Sequence, residues 1–208
     1  MQTLHLVPGE TMVWDIHMGG INIGRAELDV TEGRVQSRFT TSKLASTFAK
    51  VHHELTTFLD PANSRPVHST EVIDVDGDHQ LFESDFEGPR VETQGELRGA
   101  MVPGGNFGHT LHSALGLLRA WSAEDAPAGY LYIAQGGELF RLDFMRPLVE
   151  NLQGATTLRI ECRVKGTPKI PTVGITLWLS DTPERTPLRI EIRSDDVKLT
   201  AELVTTDA

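Results

Sequence analysis

The sequence predicts an all-β fold: a large curved antiparallel sheet forming a barrel or half-barrel, with one main α-helix at about 109–121. Three observations carry this. Apolar and polar residues alternate at period two through most of the chain, the pattern of half-buried strands. Two-residue breaks at Gly19-Gly20, Asp76-Gly77 and Gly136-Gly137 interrupt those runs at hairpin spacing. Only "NFGHTLHSALGLLRAW" sustains a helical period.

In "TMVWDIHMG", Met12, Trp14, Ile16 and Met18 share one face of a strand. After Gly19-Gly20, "INIGRAELDV" puts Ile21, Ile23 and Arg25 on one side, and Ala26, Leu28 and Val30 on the other. That switch of face predicts a bulge beside Gly24, a residue type that permits one. "EVIDVDGDHQLF" and "YLYIAQGGELFRLDF" read as hairpins. So does "RIEIRSDDVKLTAEL", whose Arg189, Glu191 and Arg193 are expected to face water while Leu188, Ile190 and Ile192 turn inward. In the helical segment Leu111, Ala114, Leu115 and Leu118 form the apolar stripe, with Thr110 or Asn106 able to cap it. "SKLASTFAK" is expected to form a second, shorter helix. No linker, repeat or low-complexity tract divides the chain, so residues 1–208 are expected to form a single β-barrel-like domain.

At 208 residues a chain can bury roughly 70 % of its unfolded surface, enough for a core without staples. Twenty-nine acidic against 19 basic side chains give a net charge of −10. That opposes phosphate backbones and anionic lipid surfaces, so neither nucleic acid nor a membrane surface is an expected partner. No run approaches the ~20 apolar residues of a membrane-spanning helix, so no integral membrane segment is expected. The start "MQTLHLVPGE" lacks the basic and apolar stretches of a secretory signal. Both a cytoplasmic protein and a mature exported form fit. The one cysteine, Cys162, sits in the strand-like "TTLRIECRV" and reads as a buried structural thiol.

Eight histidines invite a metal reading, and His109 and His112 stand three apart on the expected helix. No acidic residue follows on that face to complete a ligand set, and His52-His53 would point to opposite faces of a strand. No metal and no cofactor are therefore expected. "DVDGDH" places glycine fourth where a calcium loop needs it sixth, so it reads as a hairpin turn. "GGINIG" leads into a strand and so lacks the helix N-terminus that holds a phosphate. No nucleophile elbow and no P-loop occur. Trp14, Trp121 and Trp178 are expected in the core or at its rim.

"ITLWLSDTPERTPLRIEI", residues 175–192, sets an acidic, prolyl, arginine-bearing turn between two alternating runs. Asp181 can accept backbone N–H bonds as the chain reverses, Pro183 and Pro187 fix φ, and Arg185 can pair with Asp181. Every residue of the turn thus has a chain-reversing role. Asp181, Arg185, His109 and Arg119 are the candidates for ligand contact. A carbohydrate- or ester-directed hydrolase would instead use Asp60, Asp181 and Glu184, provided that carboxylates face one another across a substrate at about 5–10 Å.

"LWLSDTPERTPLRIEI" followed by "VKLTAEL" resembles the ending of the bacterial domain of unknown function 3108 family. "VPGETMVWDIHMGGINIGRAELDV", "FLDPANSRPVHS" and "HTLHSALGLLRAW" are similar to that family's opening, its Asp-Pro…Pro segment and its helix, in the same order. Thr182 stands where a second Asp is usual, and Thr110 where a capping Asp is common; both can make the same local backbone bonds. The resemblance implies an exported β-rich protein of the bacterial envelope, in the periplasm, without an assigned activity. The expected function is accordingly a non-catalytic envelope domain that binds an apolar or amphipathic ligand, or an envelope protein, in the sheet's concavity. The alternatives are the hydrolase above and a structural assembly module that adds an edge strand to a partner.

Overall fold

The computed structural model describes residues 4–93, 100–122, 126–165, 172–195 and 197–207. The described residues form sixteen strands: β1 (Thr11–Met18), β2 (Ile21–Thr31), β3 (Arg34–Thr41), β4 (Val51–Leu59), β5 (Pro66–Val75), β6 (Asp78–Glu87), β7 (Arg90–Thr93), β8 (Ala100–Met101), β9 (Gly108–His109), β10 (Gly129–Gln135), β11 (Glu138–Phe144), β12 (Leu148–Leu152), β13 (Ala155–Val164), β14 (Val173–Ser180), β15 (Pro187–Arg193) and β16 (Lys198–Asp207). One helix, α1 (Leu111–Trp121), lies between β9 and β10.

All sixteen strands join one sheet, ordered β8-β7-β6-β5-β4-β3-β2-β1-β16-β15-β14-β13-β11-β10-β9, with β12 pairing β13. Every pairing is antiparallel except β9 with β10. β1 pairs with β16, so the two ends of the chain meet mid-sheet and the run through β9 and α1 carries the backbone from one edge to the other. The sheet curls until those edges touch without a ladder between them, so the barrel is not closed. Phe86 and Val91 pack against Ala134, Thr93 Oγ1 donates to the Gly137 carbonyl at 3.1 Å, and the Gly136 N–H donates to Glu71 Oε2 at 2.6 Å.

The hairpins follow their turn chemistry. Gly19-Gly20, Asp76-Gly77 and Gly136-Gly137 all take positive φ at both positions, the backbone that matches strand twist in a two-residue turn. Between β1 and β2 the register passes from Ile16↔Gly24 to His17↔Asn22, leaving Ile23 as the extra residue of a bulge.

Alternation sends Leu131, Ile133, Leu142, Phe144, Leu158, Ile160, Cys162, Leu177 and Leu179 into one core, which Ala114 and Leu118 of α1 join. Met12, Trp14, Leu28, Val30 and Val35 form a second, and Leu115 packs against both. The helix therefore fills the concave face. Each such fully buried aliphatic side chain contributes about 1.5–3 kcal/mol over leaving it in water. The far side of α1 is covered by the N-terminal segment, where His5 N–H donates to the Gly116 carbonyl and Leu6 lies so close that a Cβ on Gly116 would sit 2.7 Å from its Cγ.

Several local expectations differ from the structure. Ile192, at the end of β15, is 37 % exposed and not turned inward. Residues 45–47 of "SKLASTFAK" form a single 3₁₀ turn, with no buried residue to support a longer helix. Glu191 is buried, at 4 % exposure, because Lys198 from the next strand and Arg189 and Arg193 from its own close over it.

Candidate functional site

The turn from Ser180 to Pro187 holds itself together. The Ser180 N–H donates to the Thr186 carbonyl at 2.8 Å, Ser180 Oγ accepts the Thr186 N–H at 2.9 Å, and the Arg185 N–H donates to the Thr182 carbonyl at 3.1 Å. Arg185 takes φ +49°, and its guanidinium donates to Asp181 Oδ1 at 2.8 Å. Glu184 is fully exposed, and its hydrogen bond with Thr182 holds its carboxyl below the usual carboxylate range.

Arg119, in the last turn of α1, binds this loop from beneath. Its Nη1 and Nη2 donate to Glu10 Oε2 and Oε1 at 2.8 and 2.7 Å, Nη2 also donates to the Glu184 carbonyl at 2.8 Å, and Nε donates to the Arg185 carbonyl at 3.2 Å. Arg119 and Glu10 are 1 % and 4 % exposed. Three of the four ligand candidates, Asp181, Arg185 and Arg119, thus come together, with their charged groups engaged by one another, by Glu10 and by backbone carbonyls. The fork of a guanidinium suits this task, satisfying a carboxylate and two carbonyls at once.

His109, the fourth, lies in β9 just before the helix, on the other side of the Thr110 cap. Thr110 Oγ1 accepts the Ser113 N–H and Ser113 Oγ accepts the Thr110 N–H, a reciprocal cap. His109 Nδ1 lies 3.3 Å from Ser113 Oγ, and burial, then the nearby Arg65 charge, push its pKa down to about 4. His112 is held between Thr57 Oγ1 at 2.9 Å and Ser37 Oγ at 2.8 Å, and burial, then His53, lower its pKa to about 3. Both imidazoles are neutral at pH 7, and His112 ties the start of α1 to β3 and β4. His53 turns inward to Glu71 Oε1 at 2.8 Å while His52 faces Glu54 on the outside. Among the described residues no three His, Cys, Asp or Glu side chains group closely enough to hold a metal ion.

Of the acids of the hydrolase alternative, Asp181 and Glu184 share the β14–β15 turn, and Asp60 lies on a different one, after β4. Asp60 accepts the Ala62 N–H at 2.8 Å and the Asn63 side-chain amide at 2.9 Å. It borders a shallow cleft of about 150 Å³ with Arg65 and Phe107, whose ring lies 3.3 Å under the guanidinium carbon of Arg65. Neither Asp181 nor Glu184 lines that cleft.

The end of the barrel away from Arg119 is different in kind. Antiparallel pairing brings together the turns after β1, β3, β5 and β15, and there Met18, Ile21, Leu44, Phe48, Val75 and Val197 are 47, 57, 60, 87, 41 and 42 % exposed. Hydrogen bonds fasten the turn after β3 to β2 and to the turn after β5. The Ser42 N–H donates to the Ile23 carbonyl at 2.8 Å, the Asp76 N–H to the Lys50 carbonyl at 2.8 Å, and the Lys50 N–H to Asp76 Oδ1 at 2.7 Å. A cleft of about 440 Å³ runs along the flank beneath residues 42–50, between Lys43, Lys50, His52 and Asp74. This apolar end was missed when "SKLASTFAK" was read as a second, shorter helix; its signal is Leu44 and Phe48 set between two lysines.

The class these features define is a β-barrel-like domain, an open antiparallel sheet curled around one helix. A scan against models of known families finds none that matches, and a search of curated proteins finds no match. Among solved structures, the chain is similar to a β-barrel-like protein of domain of unknown function 1849 from Brucella abortus, at 12 % identity and a TM-score of 0.68, covering 99 % of each chain. At that identity the likeness is one of fold. An exported-protein candidate with a YmcC-like fold from Bacteroides fragilis aligns over 100 % of this chain and 99 % of its own, at 11 % identity and a TM-score of 0.35.

Proposed function

We propose that residues 1–208 form one non-catalytic domain of the bacterial envelope, related to the domain of unknown function 3108 family, that binds an apolar or amphipathic molecule. The family resemblance of the 175–203 region supports the envelope location. The observation that carries the binding reading is the group of six exposed apolar side chains in or next to the turns at one end of the barrel. Contiguous exposed apolar surface marks an interaction site more often than chance scatter does.

The binding place is that end and not the concavity, which α1 occupies. Asp181, Arg185 and Arg119 build the opposite, closed end, and His109 supports the helix cap. The hydrolase alternative draws no support from the turns, where Asp60 and Asp181 serve their own loops.

Native mass spectrometry of protein purified from its own bacterial envelope tests this. The expected spectrum contains a bound amphipathic molecule for the wild type and none for the Leu44→Asp/Phe48→Asp variant. A clean mass for the wild type overturns the reading.

A further inference from the structure

We infer that the outer face of the sheet carries a second binding place, a groove along β14 that takes a neutral saccharide. Leu177 and Leu179 point into the core, so Thr176 and Trp178 stand on the opposite face. Strand pairing sets them in a grid. Trp178 lies between Arg159 of β13 and Arg189 of β15, Thr176 between Glu161 and Glu191, and Gly174 between Arg163 and Arg193. Long side chains thus rise on both sides of a floor made of a threonine and a glycine, and an indole closes one end. The cleft between them has a volume of about 290 Å³, with Arg159, Glu161, Thr176, Trp178, Glu191 and Arg193 around it and Gly174 beneath. Small-molecule sites begin at about 300 Å³. A Cβ on Gly174 would meet nothing nearer than the Arg193 carbonyl oxygen at 3.8 Å, so the space over this glycine is open and not taken up by packing.

Trp178 points to a ligand that accepts hydrogen bonds. It is only 8 % exposed on the face away from the core, and its indole N–H is shielded and meets no acceptor among the described residues. The same holds for Nε of Arg159 beside it. A shielded donor without an acceptor is costly, and a ligand oxygen at this end of the groove relieves that cost. The charges of the walls are already matched. Arg159 pairs with Glu150 and Glu161 at 3.1 Å each, Arg189 with Glu191 and Glu202, and Arg193 with Glu191, on which Lys198 also closes at 2.9 Å. An ionic ligand would have to break these pairs. Hydroxyl groups both donate and accept, so a polyhydroxyl ring can use the N–H groups and lone pairs that alternate along both walls and leave the pairs intact.

A glycan array of neutral and acidic oligosaccharides, probed with fluorescently labelled protein, tests the inference, followed by titration calorimetry with the shortest neutral glycan bound. The wild type is expected to bind neutral glycans. Gly174→Leu fills the floor and abolishes binding, with the melting temperature unchanged because the groove is open. Trp178→Phe keeps an aromatic ring but removes the N–H, and weakens binding about three- to tenfold. Leu44→Asp/Phe48→Asp leaves the affinity unchanged, because those side chains stand on the β3–β4 turn, beyond β16, β1 and β2; the groove and the apolar end therefore stand or fall separately. Binding to no glycan, binding to acidic glycans alone, or binding that Gly174→Leu or Trp178→Phe leaves at the wild-type level overturns the inference.

Discussion

The carboxylate of Glu10 and the guanidinium of Arg119 meet in a two-pronged pair at 2.7 and 2.8 Å across 109 residues of sequence, both out of water. Through its remaining N–H groups Arg119 also holds the carbonyls of Glu184 and Arg185, so the segment before β1, the end of α1 and the β14–β15 turn share one charged joint. The open end of the barrel has no counterpart to it among the described residues.

Arg119→Ala leaves Glu10 buried without its partner and should cost about 3–5 kcal/mol, read from urea denaturation. Arg119→Lys should recover only part of that, because an ammonium cannot reach a carboxylate and two carbonyls in one plane. A Glu10→Gln/Arg119→Met double variant should be more stable than Arg119→Ala alone. If Arg119→Ala lowers stability no more than a surface substitution, the joint does not hold the turn.

Stability should fall with acid below neutrality. Above the ordinary histidine value of 6.5, His112 is neutral both folded and unfolded. As pH falls from 6.5, the unfolded chain takes up a proton that the folded chain, with His112 near 3, refuses. Stability then drops by about 1.4 kcal/mol per pH unit until about pH 3. His109 adds to this in the same direction down to about pH 4. Urea midpoints at pH 7 and pH 5 should separate less in His112→Gln or His109→Gln than in the wild type. Equal pH dependence in all three would show that neither ring is the source.

How far the sequence could be read depended on the range of the forces involved. Gly19-Gly20, Asp76-Gly77 and Gly136-Gly137 announced their hairpins because a two-residue turn is decided by those residues' own φ. The chain reversal at Asp181 and Arg185 was equally local, the pair being four residues apart. That α1 packs over the curled sheet or plugs its opening follows from its apolar stripe, but the groups that pin it there were not legible, because Glu10, Ser37 and Thr57 meet a helix 53 or more residues away. Glu191 failed as a water-facing residue for a related reason: alternation gives its side of the sheet correctly, but Lys198 closes over it from the next strand. His109 matched the expected helix boundary only to within two residues, and that small difference moves it from the helix face into β9.

Cys162 should be silent to thiol reagents while the protein is folded. Burial, then the neighbouring Glu161, push its thiol up to about 12, and it is 7 % exposed within the main core. A buried thiol of that kind offers neither thiolate nor access. Aromatic disulfide reagent at pH 8 should release no colour from native protein and one equivalent in denaturant. Rapid reaction of the native protein would place Cys162 outside the core.

Gly24 should tolerate no side chain. A Cβ there would lie 2.4 Å from the Thr40 carbonyl oxygen and 2.6 Å from Cε2 of Phe39, whose ring occupies the space beside the Ile23 bulge. The carbonyl belongs to the β2–β3 ladder, so relief requires moving backbone and not merely turning Phe39. Gly24→Ala should therefore cost about 1–3 kcal/mol, as overpacking does. Gly174, also in a strand, meets nothing nearer than the Arg193 carbonyl oxygen at 3.8 Å, and Gly174→Ala should change stability by less than about 0.5 kcal/mol. Thermal melts of the two variants decide the matter: similar losses in both would mean that the strand, and not the close approach of Phe39, sets the need for glycine.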